Sequence, residues 1–293
     1  MPAAPRGQGK RLVCFCVFGE NPLYTEGVIA NALLVPSVYP SGWHSRVYCG
    51  DDVPTEVIDR LKSLPSTEVS IFSREEWPGR SAQLLRFIPA GLPTVDVAIV
   101  RDADSRVNPR EAEAVQEWLA TPGARYHVMH EAMHDDRYGS IMGGMWGARR
   151  LAEEVGSSAD DGAPCPGLGE AVETYLRPNG EAESMDASRM TYGDDMAFLE
   201  QFLAPQISAS NCVHHVDGDH RRRLGDLTVP RRPFPETPYR GFVGQPVTCS
   251  CAYSPEGCAH VSGRVVPRSV ASRVCHDPDI METLQNLLLG TPP

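Results

Sequence analysis

The sequence predicts an α/β fold with a central, mostly parallel sheet flanked by helices. Over the first hundred residues, short apolar runs alternate with helical patterns, which is typical of consecutive βα units. The run at 12–18 is continuously apolar, as expected of a strand that is buried on both faces of a parallel sheet. With 293 residues, 41% of them hydrophobic, the chain is long enough to bury a full core.

The predicted elements follow one another in order along the chain. The first four strands are predicted at 12–18, 45–49, 68–72 and 95–100. Helical segments are predicted between them, at 28–33, 54–61 and 81–89. The later predicted elements are a strand at 126–129 and helices at 109–119, 169–176, 194–203 and 277–290. Apolar residues at strand or helix spacing support each of these predictions.

The helix that follows residue 108 has a well-defined predicted start. Asn108 is a favourable N-cap, Pro109 suits the first helical position, and Glu111 suits the third. Trp118 falls on the apolar face of this helix, so we interpret it as a core residue.

We expect a single domain over residues 11–293, preceded by a flexible N-terminus at 1–10. Residues 152–190 are rich in Glu, Asp, Gly, Ser and Pro, a composition typical of a mobile insertion. The stretch 245–293 is interpreted as a C-terminal extension of the same domain.

Charge and hydropathy narrow the class of function. The formal charge is −11 and the pI is near 5.3, whereas a nucleic-acid binder normally carries a basic face. The chain contains no apolar run of about 18 residues, and its first apolar segment is interpreted as a core strand instead of a signal peptide. We therefore expect a soluble, cytoplasmic protein with no transmembrane segment and no nucleic-acid partner.

The nine cysteines are scattered, which favours reduced thiols. One tight cluster stands out, formed by Cys249, Cys251, Cys258 and His260. Its spacing matches no common structural zinc site well, so free thiols or a local disulfide are favoured over bound zinc.

Two carboxylates that follow the predicted strand at 95–100 are the most informative feature of the sequence. Asp102 and Asp104 are two residues apart, and alternate side chains of an extended segment point the same way. Hard oxygen ligands at the carboxyl end of a buried strand suit Mg²⁺ or Mn²⁺, metals that commonly hold a diphosphate. The pair therefore predicts a site for a divalent metal and a diphosphate.

Several motifs resemble, in the same order, those of GT-A type glycosyltransferases from large DNA viruses of algae and from some bacteria. The motifs are Asn-Pro-Leu-Tyr at 21–24, Leu-Arg-Phe-Ile-Pro at 85–89, Arg-Asp-Ala-Asp-Ser-Arg at 101–106, Asn-Pro-Arg-Glu at 108–111, Ile-Met-Gly-Gly-Met-Trp-Gly at 141–147, Tyr-Gly-Asp-Asp-Met at 192–196, Pro-Phe-Pro at 233–235 and Gly-Phe-Val-Gly at 241–244. The resemblance covers residues 12–245 and implies a single GT-A-like, Rossmann-like catalytic domain.

This resemblance also implies a metal shell. Asp102 and Asp104 would hold Mn²⁺ or Mg²⁺ against the two phosphates of a nucleotide-sugar donor. Similar enzymes add a late histidine that is followed directly by Asp, and either His215 or His214 is the counterpart here, although the match is imperfect. Arg86 would approach a phosphate or position the metal-binding aspartate.

Further residues are implied to bind the donor. By the resemblance, Gly19 and Tyr24 would lie near the nucleotide base. Gly143 and Gly144 would let the backbone come close to the donor sugar, because glycine has no Cβ. Trp146 would either stack on a sugar or serve as a buried structural residue.

Asp195 and Glu131 are the candidate catalytic carboxylates. Similar enzymes tend to have Arg-Asp where this chain has His130 and Glu131, and Asp-Gln where it has Asp195 and Met196. The second difference removes a hydrogen-bonding amide, which bears on sugar specificity or on activity itself. An inverting reaction would use Glu131 or Asp195 as a base, and a retaining one would place Asp195 across the sugar.

The sequence thus predicts a metal-dependent glycosyltransferase that moves a sugar, with a UDP-sugar as the favoured donor, to a hydroxyl of a glycan or another acceptor. Two alternatives stay open: a catalytically inactive nucleotide- or carbohydrate-binding relative, and a metal-dependent nucleotidyltransferase. The second is disfavoured because the loop at 19–23 contains no Lys or Arg. A metal-dependent hydrolase would need more clustered His and Asp ligands.

Overall fold

The computed structural model describes residues 9–130, 141–151, 163–176, 193–216, 229–236, 243, 258–261 and 264–267. Its strands are β1 (Lys10–Val17), β2 (Trp43–Gly50), β3 (Thr67–Phe72), β4 (Val95–Arg101), β5 (Tyr126–His130), β6 (Met145–Arg149), β7 (Cys212–Val216), β8 (Arg231–Arg232), β9 (Cys258–Val261) and β10 (Arg264–Pro267). Its α-helices are α1 (Pro22–Val38), α2 (Thr55–Ser63), α3 (Pro109–Ala120), α4 (Leu168–Leu176) and α5 (Asp194–Phe202). Two 3₁₀ segments lie at Ser81–Gly91 and Ala204–Gln206.

Eight strands form one sheet in the order β3-β2-β1-β4-β6-β5-β7-β8. All neighbouring pairs are parallel except those that β6 makes with β4 and with β5. A separate antiparallel hairpin is formed by β9 and β10. The predicted fold class, an α/β architecture with a mostly parallel central sheet, is confirmed.

Both faces of the sheet are covered, which explains why β1 is continuously apolar. Val13, Phe15 and Val17 belong to the core on one face, where α1, α2 and α3 pack. Leu12 and Cys14 belong to the core on the other face, beneath the 3₁₀ segment at 81–91, α4 and α5. A strand in this position has no polar face to alternate with.

The structure differs from the predicted elements mainly in the second half of the sheet. The strands β6, β7 and β8 were not predicted. The sequence of β6, Met-Trp-Gly-Ala-Arg, contains no β-branched residue, so its pairing with β4 and β5 gave no local signal. The predicted terminal helix at 277–290 lies outside the described residues, and so does most of the segment 152–190. Within the part of the chain that is described, no helix combines the length and the apolar character that a membrane span requires.

The predicted start of α3 is confirmed, because the side chain of Asn108 accepts a hydrogen bond from the N–H of Glu111 at 3.0 Å. Glu111, however, is turned into the core, where it accepts a hydrogen bond from the Tyr39 hydroxyl and lies 3.2 Å from the Arg101 guanidinium. Trp118 is fully buried, as predicted, and its indole N–H donates to the carbonyl of Ala124.

Candidate functional site

A cavity of about 550 Å³ opens at the carboxyl ends of β1 and β4. Its walls come from the end of β1 and the start of α1, the 3₁₀ segment at 81–91, the turn after β4, the residues just before β6, and the first turn of α5. Ligands of open α/β sheets bind outside the carboxyl ends of the strands, where this cavity lies.

Asp102 and Asp104 both line the cavity. They lie in a turn, because β4 ends at Arg101, so the strand alternation that predicted their shared direction does not apply to them. The turn nevertheless brings both carboxylates to one cavity. Gly144 packs against the first of them: a Cβ on Gly144 would lie 2.1 Å from Asp102 Oδ2, so any other residue there would displace the Asp102 carboxylate.

Arg86 joins two carboxylates that are far apart in sequence. Its Nη1 donates to Asp102 Oδ1 at 2.5 Å and its Nη2 donates to Asp195 Oδ2 at 2.8 Å. Arg86 comes from the 3₁₀ segment and is only 4% exposed, whereas Asp195 comes from the first turn of α5. Gly143 completes the arrangement, since a Cβ there would lie 2.2 Å from Asp195 Oδ2.

The cluster carries excess negative charge. Burial, followed by the charge of Asp102, raises the pKa of Asp104 to about 6. Burial also raises the pKa of Asp195, an effect that the adjacent Arg86 guanidinium opposes. Four carboxylates (Glu20, Asp102, Asp104 and Asp195) and three guanidiniums (Arg74, Arg80 and Arg86) line the cavity, and Arg86 contacts two of the carboxylates. The raised pKa of Asp104 marks a carboxylate whose ionised form an added cation would stabilise.

Asp102 and Asp104 fit a hard divalent cation, because they offer carboxylate oxygens to one cavity and Asp102 keeps 41% of its side chain exposed. Among the described residues, no group of three or more His, Cys, Asp and Glu side chains is arranged to hold a metal. Mg²⁺ typically takes one or two protein carboxylates and completes its shell with phosphate oxygens and water, so a two-carboxylate site is consistent with that chemistry.

Two residues of α1, neither of them predicted from the sequence, hold the turn in place. Gly27 packs directly on the turn, since a Cβ there would lie 2.2 Å from the carbonyl oxygen of Ala103. Asn31 is fully buried and donates to the carbonyl of Ser105 at 2.7 Å, while its side-chain oxygen accepts from the N–H of Val107. The available signal was a glycine and an asparagine among the apolar residues of the middle of the helix, at 27–35.

The other end of the cavity contains Gly19 and Tyr24, the residues implied to lie near a base. Gly19 has a φ of 71°, which glycine adopts without strain, and Tyr24 is 37% exposed. Asp52 accepts from the N–H of Gly19 at 2.9 Å and from Arg74 Nε at 3.1 Å. The Arg74 guanidinium also lies over the ring of Phe18, 4.3 Å from its centre, and both residues line the cavity. Neither residue was predicted from the sequence.

His214 and His215 do not line this cavity. Both lie in β7 and are buried, His214 within 2.9 Å of a His130 ring nitrogen and His215 within 2.8 Å of a His127 ring nitrogen. Burial lowers the pKa of His215, and it lowers that of His214 to about 4. The structure therefore separates these histidines from the carboxylates with which the resemblance grouped them.

Trp146 is fully buried and packs edge-on against Phe87 in the core beneath the 3₁₀ segment. It does not line the cavity, so of its two predicted roles the structural one agrees with its position. Glu131 lies outside the described residues, as do Cys249 and Cys251.

No protein-family model and no curated protein matches the chain. Among solved structures, the chain is similar to a mannosyltransferase from Pyrobaculum calidifontis, in complex with GDP-Man and Mn²⁺, at 18% identity over 58% of this chain and 52% of that one, with a TM-score of 0.37. It is also similar to a glucosyl-3-phosphoglycerate synthase from Mycobacterium tuberculosis, in complex with Mn²⁺, UDP and phosphoglyceric acid, at 15% identity over 48% of this chain and 56% of that one, with a TM-score of 0.33. The chain spans about half the length of each. Similarity at this level is a likeness of shape over part of the chain, so function is inferred from the site itself.

Proposed function

We propose that this protein is a metal-dependent glycosyltransferase that moves a sugar from a nucleoside-diphosphate donor to an acceptor hydroxyl. The observation that carries the proposal is the convergence of Asp102, Asp104 and the Arg86–Asp195 pair on one cavity. The cavity volume of about 550 Å³ falls in the range of small-molecule sites. One end presents Gly19 and the Tyr24 ring, and the other presents Asp195, so the cavity suits an extended ligand with a base at one end and a sugar at the other.

The turn after β4 is the proposed diphosphate site. Asp102 and Asp104 would hold Mg²⁺ or Mn²⁺, which when bound supplies positive charge to stabilise the leaving diphosphate. Arg86 donates to one oxygen of Asp102 and so fixes the orientation of that carboxylate, while the side chain of Asp102 stays partly exposed to the cavity.

The nucleoside is proposed to lie at the end of the cavity that contains Gly19 and Tyr24. Gly19 adopts the left-handed conformation between β1 and α1, which glycine does without strain because it has no Cβ. Tyr24 offers a partly exposed ring for stacking. A UDP-sugar is the first donor to test.

The sugar is proposed to lie at the opposite end, beside Asp195 and the glycine pair at 143–144. Asp195 is held by Arg86 and by the N–H of Met196, so its carboxylate has a defined direction. A carboxylate in this position stabilises positive charge that develops at the anomeric carbon, or accepts the proton of the attacking hydroxyl. Which of these roles Asp195 performs depends on the stereochemical course, and Glu131 is the second candidate base.

The first experiment is a thermal-shift screen of UDP, GDP, CDP and their sugars, with and without Mn²⁺. The wild type is compared with Asp104→Ala and with Asp59→Ala, a matched change of an exposed aspartate on α2. A ligand at 100 times its Kd adds about 2.7 kcal/mol to the free energy of unfolding, which shifts the midpoint by several degrees. We expect a shift that requires Mn²⁺, is retained in Asp59→Ala and is lost in Asp104→Ala.

The nucleotide sugar that gives the thermal shift is then incubated with the protein and hydroxyl acceptors. Release of its nucleoside diphosphate distinguishes sugar transfer from binding alone. A protein that binds a donor with Mn²⁺ but releases no product would be a binding relative. The absence of any metal-dependent shift would overturn the proposal.

A further inference from the structure

Arg101, the last residue of β4, lies directly behind the candidate metal site, and its side chain is fully buried. Its Nη1 donates to the carbonyl of Gly144 at 2.9 Å, and its Nη2 lies 3.3 Å from the Ser105 hydroxyl. One planar group therefore connects the residue after Asp104 with the glycine that packs on Asp102.

The charge of Arg101 is balanced by Glu111, which Tyr39 in turn holds by a hydrogen bond. Glu111, in the first turn of α3, places Oε1 3.2 Å from Arg101 Nε and is itself fully buried. The hydroxyl of Tyr39, the C-cap residue of α1, donates to the same oxygen of Glu111 at 2.5 Å. The guanidinium is thus held from the side of α3 and α1 while it reaches the two segments that form the site.

This arrangement bears on the geometry of the carboxylates. Because a Cβ on Gly144 would overlap Asp102, a shift of the Gly144 backbone relative to the turn changes the space available to the Asp102 carboxylate. The Ser105 hydroxyl, which Arg101 contacts, also donates to the carbonyl of Asp102 at 3.3 Å. The two segments that surround Asp102, the turn at Ser105 and the backbone at Gly144, are therefore both hydrogen-bonded to the Arg101 guanidinium.

Stability alone does not explain a buried pair of this kind. Well-packed apolar residues often replace a buried ion pair at no loss of stability. An apolar side chain, however, has no donors with which to hold the Gly144 carbonyl and the Ser105 hydroxyl at a fixed separation. Lysine has a single ammonium group and does not reproduce the rigid fork of arginine.

We propose that Arg101 is a positioning residue that sets the separation between the Asp102–Asp104 turn and the backbone of Gly144, and thereby the affinity and selectivity for a divalent cation. The inference rests on the proposed function, since it takes Asp102 and Asp104 as the metal ligands. Arg101 itself contacts neither metal nor substrate.

The test measures binding of Mn²⁺ alone by electron paramagnetic resonance, with Mg²⁺ and Ca²⁺ as competitors. Arg101→Lys keeps the positive charge beside Glu111 but loses the two-sided contact. We expect its Mn²⁺ affinity to fall about 10- to 100-fold, the usual effect of losing a partner that orients metal ligands. Mg²⁺ demands stricter geometry than Ca²⁺, so the ratio of Mg²⁺ to Ca²⁺ affinity should also fall, a change that general destabilisation would not produce.

Arg149 provides the matched control at the opposite end of β6. Its guanidinium donates to the carbonyls of Ala124 at 2.6 Å, of Leu119 at 2.5 Å and of Thr121. Arg149→Lys removes a comparable set of backbone contacts far from the carboxylates. We expect it to lower the urea midpoint while leaving Mn²⁺ affinity and the Mg²⁺/Ca²⁺ ratio at their wild-type values.

Each outcome decides the matter. If folded Arg101→Lys binds Mn²⁺ like the wild type with the same selectivity, or if Arg149→Lys loses affinity equally, the positioning role is overturned. Should Arg101→Lys fail to fold, Ser105→Ala, which removes one anchor only, must weaken Mn²⁺ binding several-fold for the inference to stand. Wild-type protein that binds no Mn²⁺, or binds it equally after Asp104→Ala, would overturn the proposed function and this inference with it.

Discussion

The sheet carries two clusters of titratable side chains that differ in their exposure. The carboxylates after β4 face a cavity, whereas the histidines of β5 and β7 are enclosed. Asp102 keeps 41% of its side chain exposed and shares its cavity with Asp104, Asp195 and the contacting Arg86. The side chain of His215 is fully enclosed and lies 2.8 Å from the ring of His127, which stacks on Trp118. The first arrangement accumulates charge at a solvent-filled space, whereas the second removes charge from the interior.

The difference shows which polar cluster is suited to bind a ligand. Clustered carboxylates in a cavity repel one another, so an added cation lowers their free energy. Each histidine pair shares one ring–ring hydrogen bond, and burial lowers the pKa of His127, His214 and His215, which disfavours their charged forms. The carboxylates that line the cavity are therefore the stronger candidates for binding a cation, whereas the histidine pairs are enclosed within the sheet.

The largest expected effect is on the carboxylates. In Asp102→Asn/Asp104→Asn, Mn²⁺ affinity should fall by at least about 100-fold, because an amide is a far weaker ligand for a hard cation than a carboxylate. The free energy of unfolding at pH 7.5 should change little, because relief of the disfavoured charge on Asp104 opposes the loss of the Asp102–Arg86 ion pair. Magnetic-resonance titration and urea unfolding check the two quantities, and a double variant that keeps wild-type affinity would contradict the assignment.

The converse is expected for His215→Gln. Mn²⁺ affinity should be unchanged, because His215 lies in the enclosed pair and does not line the cavity. The free energy of unfolding should fall by about 1–3 kcal/mol, since the change leaves a buried ring nitrogen of His127 without its partner. A tenfold loss of Mn²⁺ affinity would show instead that His215 belongs to the metal shell, as the resemblance implied.

The buried histidines should make the free energy of unfolding fall as the pH is lowered. Burial, aided by the charges of Arg231 and His215, lowers the pKa of His214 from 6.5 to about 4. Its contribution to stability is therefore complete above pH 6.5 and is lost as the pH falls toward 4, because only the unfolded chain takes up the proton readily. Between pH 7.5 and 5.5 this amounts to about 1.4 kcal/mol for one histidine.

Urea unfolding of wild type and His214→Gln at pH 7.5 and 5.5 measures this contribution. The carboxylates with raised pKa, such as Asp195, act in the opposite direction, and the comparison of variant with wild type cancels them. The decrease in stability on acidification should be smaller in the variant. An equal decrease in both proteins would mean that His214 is not held neutral by the fold.

The smallest expected effect concerns the sugar end of the cavity. Met196 lines the cavity beside Asp195 and is 4% exposed. Met196→Gln adds an amide that hydrogen-bonds a sugar hydroxyl, a change of about 1 kcal/mol in donor affinity, or several-fold in Kd. Calorimetry should show an altered Kd for UDP-glucose with Mn²⁺ and an unaltered Kd for UDP with Mn²⁺. An equal change for both ligands would place Met196 away from the sugar.

Strong local patterns made much of the first half of the chain predictable. The start of α3 was predictable because Asn108 acts on an N–H three residues away. The strand β4 and the carboxylates after it were predictable because an apolar run ends abruptly at charged residues. Yet the reason given for the shared direction of Asp102 and Asp104 was wrong, since they lie in a turn held by Gly27 and Asn31 of another element.

The fold class, the four strands of the first half of the sheet and the position of Asp102 and Asp104 could all be predicted from the sequence, because they depend on residues that are neighbours in the chain. The tertiary structure alone brings Arg86 into contact with both Asp102 and Asp195, although Arg86 and Asp195 are 109 residues apart in the chain. It likewise decided that the late histidines pair across β5 and β7 outside the cavity wall. Contacts of this kind depend on strand order and on β6 running antiparallel to its neighbours, which no local pattern of residues encodes.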